Sequence, residues 1–128
     1  MAAYDDEGFA PPAPVARVLL KNPDSGAAWL DAPMLIDSGA DVTLVPHEAL
    51  ERLGAALVPD RRYELLGFDG RSSFAPVVHL ELVFCRRTFR GQFLVVEQPC
   101  GVLGRNVLNA IPLLLDGPHL SWDEHTAE

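Results

Sequence analysis

The sequence predicts an all-β, barrel-like domain carrying one or two brief helices. Three observations point there. Short runs rich in Val, Leu and Phe recur at roughly ten-residue spacing. Turn-forming residues separate them, as at Asn22-Pro23-Asp24-Ser25-Gly26 and Asp116-Gly117-Pro118. Helical signals are confined to two short stretches, His47–Leu53 and Arg105–Asn109. A chain of 128 residues is one ordinary domain, and its 48% hydrophobic and 22% charged residues support a buried core.

Taken in order, residues 1–14 join an acidic cluster to three prolines and read as a flexible leader. Val15–Leu20 reads as a strand and Ala28–Ile36 as a second, joined by the Asn22–Gly26 turn. Pro33 inside the second strand calls for a sheet edge or a bulge, because it cannot donate to a ladder. Thr43-Leu44-Val45 is a short extended piece. In the helix His47–Leu53, Pro46 suits the first turn and Gly54 the left-handed stop. Tyr63–Leu66 and Phe74–Phe84 flank Gly67-Phe68-Asp69-Gly70-Arg71 and form a long hairpin with a glycine-bearing tip. Phe89–Val96 follows the turn Cys85-Arg86-Arg87-Thr88, and Gly101–Gly104 is a compact apolar strand. After the helical turn at Arg105, Leu113–Leu115 and Leu120–Trp122 close the chain as a hairpin. The domain is expected over 15–123, with 124–128 an acidic tail.

Composition excludes several function classes. Ten Lys+Arg against eighteen Asp+Glu give a net charge of −8, so no basic stripe is available for a nucleic-acid backbone. Apolar stretches of about five residues fall far short of the roughly 20 that a membrane helix needs. The start of the chain has no charged segment leading into an apolar one, so no secretory signal is expected. Cys85 and Cys100 cannot make a disulfide framework and read as reduced thiols of a cytoplasmic protein. The four histidines lack metal-binding spacing, so neither a metal nor an organic cofactor is expected. No nucleophile elbow or phosphate-binding glycine loop is present either.

The tetrapeptide Asp-Ser-Gly-Ala occurs twice, at Asp24–Ala27 and Asp37–Ala40. The first copy follows Lys21-Asn22-Pro23 and is a hairpin turn. The second ends the apolar strand Met34-Leu35-Ile36 and precedes Asp41-Val42-Thr43-Leu44-Val45. A carboxylate where a buried strand breaks into a tight turn is held from both sides and aimed at a cleft.

Leu35-Ile36-Asp37-Ser38-Gly39-Ala40-Asp41-Val42-Thr43 resembles the active-site segment of retroviral-type (retropepsin-like) aspartic proteases. Sixty-odd residues later, Val102-Leu103-Gly104-Arg105-Asn106-Val107-Leu108 resembles the Gly-Arg-Asp/Asn stretch near that family's C-terminus. Both motifs occur in the family's order, and the chain is similar to a single-domain, bacterial-like member over roughly residues 15–123. The resemblance implies a closed acid-protease barrel with a flap hairpin, Tyr63–Phe84.

Peptide hydrolysis of this kind requires two carboxylates that share a proton, one activating water and the other polarising the scissile carbonyl. The chain supplies one Asp at a strand end, so the resemblance implies a two-fold homodimer pairing Asp37 with its copy. Asp37, Ser38 and Gly39 are then the catalytic segment, with Ser38 bracing the opposite loop. Ala40, Asp41, Val45, Leu66, Gly67, Phe68, Asp69, Gly70 and Val107 become the substrate-binding and flap positions. The resemblance also implies a structural Asp41–Arg105 ion pair that anchors the turn to the C-terminal helix. The expected substrate is an extended peptide. One alternative is a catalytically weak dimerisation or peptide-binding module on the same fold. A trimeric nucleotide hydrolase like the dUTPase group fails, because residues 121–128 contain no glycine to cover phosphates.

Overall fold

The computed structural model describes residues 1–67 and 69–126. Among these residues ten strands and two short helices follow one another: β1 (Ala2–Ala3), β2 (Val15–Lys21), β3 (Ala28–Ile36), β4 (Leu44–Pro46), α1 (Glu48–Leu53), β5 (Leu57–Leu66), β6 (Ser72–Phe84), β7 (Arg87–Val96), β8 (Gly101–Leu103), α2 (Arg105–Leu108), β9 (Leu113–Asp116) and β10 (Ser121–Glu124). The larger sheet runs β2-β3-β8-β4-β7-β6-β5, and a further β2–β6 pairing closes its first six strands into a barrel. A second sheet, β1-β10-β9, lies outside that ring. No helix among the described residues is long and apolar enough to cross a membrane.

The barrel closes on alternating apolar residues. In β6, Val78, Leu80, Leu82 and Phe84 share a face and are buried together with Val18 and Leu20 of β2, Met34 of β3 and Leu103 of β8. Each such side chain contributes about 1.5–3 kcal/mol when taken out of water. Asn22 is one of three buried polar residues among those described, and it is satisfied: its Nδ2 donates to the carbonyl of Leu53 at 3.0 Å. That bond ties the β2–β3 turn to the end of α1. The first Asp-Ser-Gly-Ala copy folds as the turn expected of it. Asn22 N–H donates to Ala27 O, and Gly26 takes φ 80°, where a side chain would be strained.

Pro33 meets its sheet constraint simply. It pairs with Arg17 of β2, while β8 joins β3 only from Met34 to Ile36, so Pro33 has a ladder on one side alone. Gly54 caps α1 at φ 59°, as expected. Pro46 does not open the helix: it is the buried last residue of β4, and His47 caps the helix instead.

Three further expectations need correction. Residues 1–14, expected to be flexible, are hydrogen-bonded to the body. Ala2 and Ala3 pair with Trp122 and Ser121, Tyr4 N–H donates to Leu120 O, and Ile36 N–H donates to Pro14 O. The exposed edge of β10 accepts this segment through its backbone, which composition does not reveal. β5 begins at Leu57 rather than Tyr63, because a bulge between Leu57 and Arg62 with Asp60 at φ 59° carries a polar run into the ladder. β7 begins at Arg87, since Cys85 and Arg86 alone make the turn, both at positive φ as a two-residue hairpin requires.

Candidate active site

The second Asp-Ser-Gly-Ala copy sits where the barrel holds it best. β3 runs parallel to β8, with Met34, Leu35 and Ile36 opposite Gly101, Val102 and Leu103. At the end of this pairing Asp37 N–H donates to Leu103 O at 3.1 Å. The chain then turns: Ala40 N–H donates to Asp37 O at 3.1 Å, and Gly39 N–H donates to Asp37 Oδ1 at 3.0 Å. That last bond fixes one oxygen of the Asp37 carboxylate against its own backbone.

The C-terminal motif braces the turn from outside. Arg105 N–H donates to Ala40 O at 2.8 Å, and the Arg105 guanidinium donates through Nη1 to Ser38 O at 2.8 Å. Thr43, which is 1% exposed, accepts from Gly104 N–H at 3.0 Å and donates to Asn106 Oδ1 at 2.7 Å. A Cβ on Gly104 would collide with the backbone of Val42, so the motif's glycine is a condition of this contact. Sequence positions 37–43 and 103–106 therefore form one laced unit.

The ion pair expected between Asp41 and Arg105 is not among the salt bridges of the described residues. Arg105 reaches the carbonyl of Ser38 instead. Its brace runs to backbone rather than to a carboxylate, and Asp41 is left exposed.

A cavity of about 530 Å³ opens beside the turn. Asp41, Val42 and Thr43 supply one wall, Tyr63 to Leu66 of β5 another, and Gln92 and Leu94 of β7 and Asn106 of α2 the rest. The β5–β6 hairpin thus reaches the turn through its shank. At its tip Gly67 N–H donates to Arg71 O at 2.9 Å, Gly70 N–H to Gly67 O at 3.1 Å, and Arg71 N–H to Asp69 Oδ1 at 3.0 Å. Asp69 so closes the tip with its own carboxylate, and Gly70 sits at φ 79°. Phe68 lies outside the described residues.

Of the residues expected to form the site, Asp37, Ser38, Gly39, Ala40 and Asp41 lie together on the turn. Leu66, 77% exposed, borders the cavity, whereas Gly67, Asp69 and Gly70 lie at the exposed hairpin tip. Val45 and Val107 are corrections. At 0% and 1% exposure they belong to the barrel core and cannot touch a substrate. Val42, Leu65, Leu94 and Asn106 line the cavity instead. Tyr63, Glu64, Leu65 and Leu66 all border the cavity, so strand alternation does not single out Leu65, and no short-range signal marks Leu94.

Neither thiol belongs to this arrangement. Burial pushes both Cys85 and Cys100 above the ordinary thiol range, which suits inert cysteines.

No family model and no curated protein matches this chain. Among solved structures it is similar to the retroviral EIAV protease complexed with the inhibitor HBY-793, at 22% identity and a TM-score of 0.57. The match covers 77% of this chain and 86% of that one. Together with the closed six-stranded ring, this shows a retropepsin-like, all-β fold. The neighbour is viral and gives no support to a bacterial-like affiliation.

Proposed function

We propose that this chain is half of an aspartic endopeptidase, completed by a second copy. The observation that carries the reading is the placing of Asp37. It stands at the end of a buried strand, in a turn laced to the Gly104–Asn106 segment, with one carboxylate oxygen fixed by Gly39 N–H. Such a turn presents a carboxylate at a defined point without flexible supports. The described chain offers one such turn and the reaction needs two carboxylates, so a two-fold dimer sets Asp37 beside its copy. In that pair one carboxylate keeps the shared proton while the other activates a water. Ser38 then braces the opposite turn, and the β5–β6 hairpin closes over an extended peptide. Asp69 and Arg71 make that closing tip polar.

A retropepsin-like affiliation rests on the two sequence motifs. A cytoplasmic setting rests on the reading of both cysteines as free thiols, and 15–123 as the catalytic unit rests on the span of the motifs.

The test compares the full chain with Asp37→Asn against a mixed peptide library in acidic buffer. Cleavage lost by at least a thousandfold is expected, the scale of losing an essential acid–base group. Equal cleavage by both forms ends the catalytic reading. Sedimentation of the same samples reports the dimer, and a strict monomer at high concentration ends the shared-dyad mechanism.

A further inference from the structure

We propose that the cavity beside the Asp37 turn selects a basic side chain, lysine or arginine, from its peptide. The inference rests on the endopeptidase reading and names the substrate class that reading leaves open.

The floor of the cavity is apolar. Val42 and Leu65 pack against a small buried cluster of Ala75, Val77 and Leu94. The rim carries charge of one sign, from Asp41 on the turn and Glu64 on β5. Arginines from the same segments are engaged elsewhere. Arg105 donates to Ser38 O, Arg61 donates to Tyr63 Oη at 2.9 Å, and the Arg62 guanidinium lies 5.4 Å from the centre of the Phe74 ring. Asp41 and Glu64 therefore have no cationic side chain within salt-bridge distance among the described residues.

An apolar floor with an unneutralised acidic rim matches a side chain built the same way, a hydrocarbon stem ending in a cation. Lysine and arginine can lay their stems along Val42 and Leu65 and keep the head at the carboxylates. An uncharged aliphatic chain fills the floor and leaves both rim charges partly desolvated without a partner. An acidic side chain meets two like charges in a protein whose net charge is already −8. The preference is thus set as much by rejection as by attraction.

The experiment uses the full chain and peptide libraries carrying lysine, norleucine or glutamate at each position in turn. Norleucine keeps the stem and removes the charge. Cleavage is read at about pH 6, where ordinary carboxylates are ionised. At one position lysine should exceed norleucine in kcat/KM by about three- to tenfold, the size of one or two partly exposed ion pairs, with glutamate rejected. The ratio should shrink at high salt, and Glu64→Gln should reduce it further. Lysine and norleucine cleaved alike at every position overturns the proposal, and so does an undiminished ratio in Glu64→Gln. If the wild-type chain cleaves nothing, the endopeptidase reading fails and the pocket is judged by binding. Fluorescence anisotropy of the same three labelled peptides then decides: tighter binding of the lysine peptide upholds the basic pocket. Any other order, absence of binding included, overturns it.

Discussion

Thr43 holds two segments together with a single oxygen. Its hydroxyl is buried, accepts from Gly104 N–H and donates to Asn106 Oδ1, so its proton and one of its two lone pairs have protein partners. Thr43→Val keeps the shape and removes both bonds. The change leaves a buried N–H without a partner and should cost about 1–3 kcal/mol in urea unfolding. Thr43→Ser keeps the hydroxyl and should recover most of that loss. Equal stability of the valine variant and the wild type would show that water replaces the hydroxyl. Gly104 is less forgiving, because its missing Cβ is what lets Val42 approach. At this scale the sequence was informative about residue type and silent about partner. Arg105 was expected to matter, yet its guanidinium binds the Ser38 carbonyl, and a backbone acceptor leaves no mark in a sequence.

Helix α2 is only four residues long and still sets the position of the turn carrying Asp37. It does so through its first residue, whose backbone and side chain both donate to residues 38–40. Arg105→Ala removes the side-chain bond alone. It should lower stability by about 1 kcal/mol, or Tm by a few degrees, and weaken association of the two copies. Scanning calorimetry with sedimentation checks both effects, and no change in either refutes a bracing role. Elements with their own pattern were legible in advance: β3, β6 and the close of α1 at Gly54 follow from alternation and turn chemistry. Elements that borrow their order from a neighbour were not. β1 is two alanines paired to the edge of β10, and the first half of β5 is a polar run held by a bulge. The cavity is half legible for the same reason: Asp41 and Leu66 border it, while Val45 and Val107 turn inward because β4 and α2 each have a core side.

Across the whole molecule, charge works against assembly. Each copy carries −8, so any two-fold dimer brings together two like-charged bodies. Association should therefore strengthen as salt rises from about 0.01 to 0.15 M, where the screening length falls from about 30 to 8 Å. Sedimentation equilibrium across that range measures it, and association that weakens with salt would mean that cross-subunit ion pairs dominate instead. The barrel also has a consequence in time. Ile36 and Leu103 lie side by side in the sheet but far apart along the chain, and synthesis proceeds from the N-terminus. The strand that leads into Asp37 is made before the segment that pins its turn. Until Leu103 to Arg105 are made, the turn carrying Asp37 has its own local hydrogen bonds and no brace from outside. A message cut short before Gly101 yields a protein that contains the aspartate and lacks the site.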